Sequence, residues 1–281
     1  MLTIFTCPKP FTDPHIATIQ RNAIRSWTLL EPRPQIVLFG DEEGVAETAR
    51  EFGAGRRPAV QRNPAGVPLL SDVFDQAQGY ASSPLLAYVN CDIILMSDFA
   101  AAVSQASRIK RRFMMGGRPW DVAITEVLSF EPGWEDRLRQ QVRGNGRLRG
   151  MNACDYFVFP RGMWGEIPPL AAGRPYFDNH LMCRCRRSGG NLIDATSEVM
   201  AIHQSHSYGA HSQISYMDSA EARRNYQLAG GAPGLCSWWH ATHRLTPHGL
   251  KRDWRGWLRY WYPDAILGTP WHRKEFESGP K

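Results

Sequence analysis

The feature that most constrains this fold is an alternation of strand-like and helix-like segments through about the first 95 residues. Short apolar runs suited to buried strands alternate with segments whose apolar residues recur at helical spacing. The predicted strands are Leu2–Phe5, Gln35–Phe39 and Leu85–Val89, and the predicted helices begin near Pro14, Val45 and Leu69. This order predicts an α/β fold with a Rossmann-type, mostly parallel sheet sandwiched by helices, which binds ligands at the carboxyl ends of its strands.

Later segments continue this pattern less regularly. Residues 98–109 and 177–187 have helical spacing, whereas 113–117, 156–159, 192–194 and 199–202 are strand-like. An Arg-, Trp- and Gly-rich stretch at 118–150 is expected to be a variable excursion. The sequence contains neither a Gly-x-Gly-x-x-Gly nor a Walker-type loop, so a bound nucleotide would be held by other groups.

Composition limits the ligands and the cellular location that are expected for this protein. The net charge of +6 is compatible with an anionic ligand or an anionic membrane surface. No apolar run reaches the length of a membrane-spanning helix, and the first residues resemble a strand more than a signal peptide. The six cysteines lack zinc-site spacing, so we interpret them as reduced thiols of a cytoplasmic protein.

The first candidate site follows the strand Leu85–Val89. There the sequence continues Asn90-Cys91-Asp92 before a second apolar run, which places a carboxylate in a largely apolar setting. A charge there is costly unless it is paired or binds a metal. Mg²⁺ and Mn²⁺ prefer one or two carboxylates together with phosphate oxygens, so Asp92 suits a metal-bound diphosphate. The alternative is that Asp92 only caps a turn.

This segment resembles the DXD segment of GT-A glycosyltransferases, in which an apolar strand, Asp-x-Asp and a further apolar run follow one another. The resemblance implies that Asn90 and Asp92 contact the metal and the donor diphosphate. Asn90 departs from the pattern because it stands where the first acid is expected. One metal ligand would then come from elsewhere in the chain.

The segment from Gly173 to Gly189 resembles the Gly…Glu-Asp…Leu…Arg…Gly segment of family 2-type inverting GT-A enzymes. The resemblance implies that Asp178, at a helix start, is the general base that deprotonates the acceptor hydroxyl. In a retaining enzyme Asp178 would instead orient the acceptor, and the plainer alternative is an N-cap. Asp155 and Asn179 are candidates for binding the acceptor, with turn capping as the alternative for Asp155.

Three histidines occur in nine residues after the strand-like segment 199–202, at His203, His206 and His211. In several GT-A families a histidine after the last core strand binds the metal, so His203 or His206 could replace the acid missing at Asn90. Imidazole favours Mn²⁺ over Mg²⁺. The alternative is a solvated loop.

Further donor contacts are assigned from the same resemblance and from topology. A UDP-sugar is the favoured donor. The base, ribose and sugar contacts are expected at Thr6, Pro8, Asp41, Ser71 and Asp72. Arg118, Arg161 and Arg174 are candidate phosphate partners, with surface placement as the alternative.

The C-terminal segment is rich in Trp and Arg. Trp254, Trp257 and Trp261 have helical spacing, and arginines occupy other faces of the same helix. Residues 251–262 are therefore candidates for peripheral contact with the inner face of a membrane. The alternative is packing on the domain or in a homodimer. No nucleic-acid-binding motif is present, so no nucleic-acid partner is expected.

Together these features predict a GT-A-like domain over residues 1–215 and a helical extension over 216–281. The predicted reaction moves a sugar from a nucleotide diphosphate sugar to an acceptor hydroxyl of a glycan or lipid-linked acceptor, in bacterial-type surface polysaccharide synthesis. Two alternatives remain. A sugar-nucleotide nucleotidyltransferase would need a Gly-rich basic loop, which Thr6–Pro10 lacks. A non-catalytic glycan-binding protein would not bind nucleotides through a metal.

Overall fold

The computed structural model describes residues 2–206 and 216–261, together with Phe276 and Gly279. The strands are β1 (Leu2–Thr6), β2 (Gln35–Phe39), β3 (Gly55–Arg57), β4 (Leu85–Val89), β5 (Ile93–Ile94), β6 (Phe113–Gly116), β7 (Trp120–Val122), β8 (Arg147–Leu148), β9 (Tyr156–Pro160), β10 (Asn191–Asp194), β11 (Ile202–Gln204), β12 (His243–Thr246) and β13 (Gly249–Arg252). The helices are α1 (Pro14–Thr28), α2 (Val45–Phe52), α3 (Leu70–Tyr80), α4 (Ser97–Ala106), α5 (Trp134–Asn145), α6 (Phe177–Arg187), α7 (Ala220–Leu228) and α8 (Trp254–Trp261).

The main sheet has nine strands in the order β13-β12-β10-β6-β9-β4-β1-β2-β3. Its pairings are parallel except where β9 lies antiparallel to β4 and β6, and where β13 returns antiparallel to β12. The predicted mostly parallel sheet is therefore confirmed. A smaller sheet, in the order β5-β11-β7-β8, stands beside the carboxyl end of β4.

Both faces of the main sheet are buried, as the continuous apolar runs of its strands predict. Side chains alternate between faces, so Ile4 of β1 packs with Trp27 of α1 and Phe99 of α4. The next residue, Phe5, faces the other layer and meets Phe74 of α3 with ring centroids 5.0 Å apart. Helices therefore cover the sheet on both sides, which leaves the ends of its strands as the accessible part of the sheet.

Helix α1 anchors the segment that follows β4. Asp13 caps the helix by accepting a hydrogen bond from the Ile16 amide, and Pro14 occupies its first turn. At the other end, the Trp27 indole donates to the Ile93 carbonyl at 2.9 Å, and the Leu95 amide donates to the Ser26 hydroxyl. These buried bonds hold β5 away from the main sheet and fix where Asp92 emerges.

Two regions are more ordered than the pattern of the sequence suggests. The excursion at 118–150 contains β7, α5 and β8, and two of these elements belong to the smaller sheet. The strand expected at 199–202 is shifted to β11, because β11 pairs with β5 and β7.

The C-terminal segment contributes to the main sheet as well as providing helices. β12 pairs in parallel with β10, so part of residues 216–281 is continuous with the main sheet. The predicted boundary at 215 lies outside the described residues and stays a prediction. No helix among the described residues is both long and apolar enough to cross a bilayer.

Candidate functional site

Asp92 lies in a tight turn between the main sheet and the smaller sheet. The chain leaves β4 at Val89, and the Ile93 amide closes the turn on the Asn90 carbonyl at 3.0 Å. β5 then runs antiparallel to β11, with Ile93 opposite His203. The Gln204 amide and side chain both donate to the Asp92 carbonyl. Strand pairing therefore brings together residues more than a hundred positions apart in sequence.

Asp92, His203 and His206 converge in this turn. The Asp92 Oδ2 atom lies 3.1 Å from His206 Nε2 and 3.6 Å from His203 Nε2. One donor atom from each residue falls within 4.8 Å of the others, a spacing that could hold one metal ion. Two imidazoles and a carboxylate suit Mn²⁺. The turn-capping alternative for Asp92 does not account for this convergence.

An unsatisfied oxygen supports the fit of a cation. Asp92 Oδ1 is buried and has no hydrogen-bond partner within the described part of the chain. A buried carboxylate oxygen without a partner is costly, and a bound cation would remove that cost. The residues present therefore fit a divalent metal.

The electrostatics of the cluster keep Asp92 ionised. Burial alone would raise the pKa of the Asp92 carboxyl, but His203, His206 and Lys9 outweigh it and hold the pKa well below its ordinary value. Burial would likewise lower the pKa of His203, but Asp92 and Asp121 raise it above its ordinary value. Asp92 is thereby kept ionised, which is the form in which a carboxylate binds a metal.

Asp121 orients His203, and the sequence analysis did not identify it. Parallel pairing of β7 with β11 sets Asp121 beside His203, whose Nδ1 lies 2.9 Å from the carboxylate. Nδ1–H donates to Asp121, which leaves Nε2 directed at Asp92. The sequence offers only Trp120-Asp121-Val122 inside the excursion as a signal, and a lone acid there carries no specificity.

The Asn90 side chain is engaged by Asp155, and its predicted contact with the metal and the diphosphate stays a prediction. Its side-chain amide donates to Asp155 Oδ1 at 3.0 Å, and Arg149 donates to Asp155 Oδ2 at 2.6 Å. Arg149 also lies 3.7 Å from Asp121 Oδ1. Asp155 thus joins the turn after β4 to the residues around His203, and both its oxygens are already engaged.

Asp178 is in the first turn of α6 and is not its N-cap. Tyr176 occupies the capping position with a left-handed φ of 77°, and Asp178 accepts a hydrogen bond from the Asn179 amide at 2.9 Å. Burial, followed by the charge of Asp155, raises the pKa of Asp178 to about 7. A carboxylate with that pKa can accept a proton near neutral pH.

Asn179 is buried beside Asp178 and binds the backbone. Its side-chain nitrogen donates to the carbonyls of Asn152 and Cys236, each at 3.0 Å. These bonds tie α6 to the C-terminal segment. Its predicted contact with an acceptor stays a prediction, and its side-chain donors are already engaged.

The residues predicted for the donor base form a second group on the β1–β2 side. Thr6 and Pro8 are buried at the end of β1. Arg62 joins Asp41 at 2.6 Å and Glu42 at 2.8 Å, and it lines a cavity of about 440 Å³. Sequence reasoning did not identify Arg62.

The helix start before β4 has a different local role. Asp72 accepts hydrogen bonds from the Gln61 amide and the Gln76 side chain, both at 2.8 Å, so it shapes the loop after β3. Ser71 is partly buried beside it. Their predicted contacts with ribose or sugar stay predictions.

The basic residues predicted to bind phosphate differ in their distance from the Asp92 cluster. Lys9 Nζ lies 3.4 Å from His206 Nε2. The pKa of Lys9 is lowered mainly by burial and further by the nearby positive charge of Arg174. Arg118 lies near Arg149, to whose carbonyl it donates. Arg161 follows the end of β9 that pairs with Leu85, the residue at the far end of β4 from Asp92, so it lies away from the cluster.

A second cavity, of about 580 Å³, is lined by residues such as Phe130, Trp134 and Arg139. None of its lining residues belongs to the cluster or to the base group. We therefore place the candidate site at Asp92 rather than in this cavity.

The order of the strands defines a mixed α/β protein, and solved structures confirm the predicted GT-A-like fold. The crystal structure of GalNAc-T7 with UDP, GalNAc and Mn²⁺ matches at a TM-score of 0.54 and 16% identity, covering 82% of this chain and 48% of that chain. The mannosyltransferase PcManGT from Pyrobaculum calidifontis, in complex with GDP-Man and Mn²⁺, matches at a TM-score of 0.51 and 13% identity. The match covers 82% of this chain and 63% of that chain. A mycobacterial protein matches at a TM-score of 0.50 and 10% identity, covering 81% of this chain and 73% of that chain.

The chain thus spans about half the length of the first of these structures and 63% of the second. No family model matches the sequence. A search of curated proteins finds no significant sequence match. At these identities the comparisons establish the fold, and the chemistry must be argued from the site.

Proposed function

We propose that this protein transfers a sugar from a nucleotide diphosphate sugar to an acceptor hydroxyl. The observation that carries the proposal is the convergence of Asp92, His203 and His206 within 4.8 Å in a GT-A-like fold. That position lies beyond the carboxyl end of β4, where sheets of this kind bind ligands.

Asp92, His203 and His206 would hold the divalent metal, with Mn²⁺ favoured over Mg²⁺. When bound, such a metal offsets the negative charge of a departing diphosphate. Lys9, beside His206, and Arg174, near Lys9, add positive charge on the same side. Asn90 would contact the metal or the diphosphate through its side-chain oxygen, while its amide nitrogen donates to Asp155.

Asp178 is the proposed general base. Its pKa of about 7 lets it receive the acceptor's hydroxyl proton near neutral pH as the oxygen attacks the anomeric carbon. Direct attack with one base inverts the anomeric configuration, so we favour an inverting enzyme. Asp155 supports this role because its charge is the second cause of the raised pKa.

The donor base and ribose would bind on the β1–β2 side, near Thr6, Pro8, Asp41, Ser71 and Asp72. The ion pair between Asp41 and Arg62, just past the carboxyl end of β2, supports that placement. We favour a UDP-sugar donor, and a glycan or lipid-linked acceptor in surface polysaccharide synthesis. A cytoplasmic location agrees with cysteines that are all free.

The test is a thermal-shift panel with UDP, GDP, CMP, ADP and common sugar nucleotides, with and without Mn²⁺. Wild type is expected to be stabilised by one nucleotide class only when Mn²⁺ is present, because a ligand that binds the native state raises its stability. Asp92→Ala should abolish that shift. Asp75→Asn is the matched control, since Asp75 is an exposed acid on α3.

No stabilisation by any nucleotide would reject the transferase and favour a non-catalytic glycan-binding protein. Stabilisation by a nucleoside triphosphate together with a sugar phosphate would favour a nucleotidyltransferase instead. Equal Mn²⁺-dependent shifts in wild type and Asp92→Ala would remove the cluster from the metal site.

A further inference from the structure

Helix α8 packs against the protein through its least bulky residue. Gly256 is buried, and a Cβ atom there would lie 1.8 Å from the Ala241 carbonyl oxygen. The helix therefore rests closely on the turn around Trp238–His240, and no larger side chain fits between them. Arg259 completes this contact, with its guanidinium 4.7 Å from the centre of the Trp239 ring.

The three tryptophans of α8 face outward, whereas Tyr260 packs inward, with the Arg186 guanidinium 4.5 Å from its ring centre. Trp254 is 63% exposed, Trp257 48% and Trp261 60%. At about 100° per residue, Trp254 and Trp261 lie roughly 160° and 140° around the helix from Gly256, and Trp257 lies about 100° from it. Leu250, on the neighbouring strand β13, is also exposed. Amphipathic helices on globular proteins normally turn their large apolar side chains inward, so three exposed tryptophans on one short helix are unusual.

Positive charge surrounds this apolar face. Lys251, Arg252 and Arg255 are exposed beside the tryptophans, and the Arg255 guanidinium lies 5.5 Å from the Trp254 ring centre. The one acid within residues 250–261 is Asp253, which is engaged with Arg244 and with amides at the start of α8. Within residues 250–261 the face therefore presents indoles and exposed cations together.

We propose that the surface formed by Leu250–Arg252, Trp254, Arg255, Trp257 and Trp261 binds the interfacial region of an anionic lipid bilayer. Indole rings are favoured at the boundary between headgroups and acyl chains, where an apolar body and a polar N–H are both satisfied. Lys and Arg beside them gain free energy from the negative surface potential of anionic lipids. Both components are present on one face of this protein.

The charge argues against a second copy as the occupant. A two-fold symmetric contact would set the same cations of both subunits against each other, with few acids to offset them. A lipid surface of opposite charge removes that repulsion. The proposal concerns a surface separate from the Asp92 cluster and does not depend on the transfer reaction.

The test is co-sedimentation of the full chain with vesicles of phosphatidylcholine alone or mixed with phosphatidylglycerol. We expect binding to the mixed vesicles that weakens as salt is added, and much weaker binding to phosphatidylcholine. Trp254→Ser/Trp261→Ser should weaken binding by about tenfold or more, because it removes most of the inserted apolar area. Arg252→Gln/Arg255→Gln should weaken it by about tenfold and reduce its salt dependence.

Val127→Ser is the matched control, since Val127 is 76% exposed and lies outside this surface. It should bind mixed vesicles as wild type does, and circular dichroism melts should show that all variants fold. Failure of wild type to sediment with mixed vesicles would overturn the proposal, as would unchanged binding by the tryptophan variant. Sedimentation velocity provides a third outcome: a wild-type dimer that the tryptophan variant converts to monomer would assign the face to a homodimer instead.

Discussion

Asp92 and Asp178 are the same residue type on the same side of one fold, yet their surroundings push their pKa values in opposite directions. Burial acts on both and would raise both values. At Asp92, His203, His206 and Lys9 reverse that effect and hold the pKa low. At Asp178, Asp155 adds to it, and the pKa reaches about 7.

The difference lies in the partners that tertiary structure supplies. The turn after β4 faces a strand with imidazoles, whereas the start of α6 faces another carboxylate. One acid is thereby kept ionised, as the proposed metal ligand must be, and the other can take up a proton near neutral pH, as the proposed base must. Carboxylates whose environments separate their pKa values are a common basis for dividing catalytic roles.

The largest expected effect comes from removing each acid in turn. Asp92→Asn and Asp178→Asn make the same isosteric change in the two regions, and each should lower transferase activity by about a thousandfold. Only Asp92→Asn should also lose Mn²⁺-dependent nucleotide binding. Activity assays and calorimetric titration on both variants check this, and loss of nucleotide binding in Asp178→Asn would contradict separate roles.

A smaller effect is expected at Asp121, which lies behind the proposed metal ligands. Asp121→Asn weakens the hydrogen bond that orients His203, so affinity for Mn²⁺ should fall by about 10- to 100-fold while the fold is kept. Titration with Mn²⁺, followed by calorimetry, measures the change. An unchanged affinity would mean that His203 is not a ligand and that His206 serves alone.

The pKa of the proposed base can be changed without removing its carboxylate. Asp155→Asn removes the charge that helps raise the pKa of Asp178, so that pKa should fall below about 7. Activity of the ionised base would then persist to lower pH, and the acidic limb of the pH–rate profile should move to lower pH. An unmoved limb would show that another group controls it.

The smallest effect concerns stability. The pKa of Asp178 is raised from 3.8 to about 7 on folding, so its contribution to stability is full at low pH and is lost as pH rises through about 7. Asn is neutral throughout, so Asp178→Asn should melt above wild type by a margin that grows from about pH 5 to about pH 8. A margin that shrinks over this range would contradict the raised pKa.

Sequence reasoning predicted the fold class because its signals are local. The strands beginning at Leu2, Gln35 and Leu85 lie within a residue of their observed positions, since buried strands need continuous apolar runs. The smaller sheet was not predicted, because β7, β8 and β11 are too short to carry a period and exist through their pairing.

The sequence by itself determined the alternating α/β order and the candidates Asp92, His203, His206 and Asp178, because each stands next to a strongly patterned element. Tertiary structure decided how they act. Strand pairing brings His203 to Asp92 and Asp121 to His203, Arg149 and Asn90 converge on Asp155, and packing through Gly256 turns the tryptophans of α8 outward. The distances between residues far apart in sequence, such as Asp92 and His203, and the pKa values that depend on them, are set by tertiary contacts that no local pattern encodes.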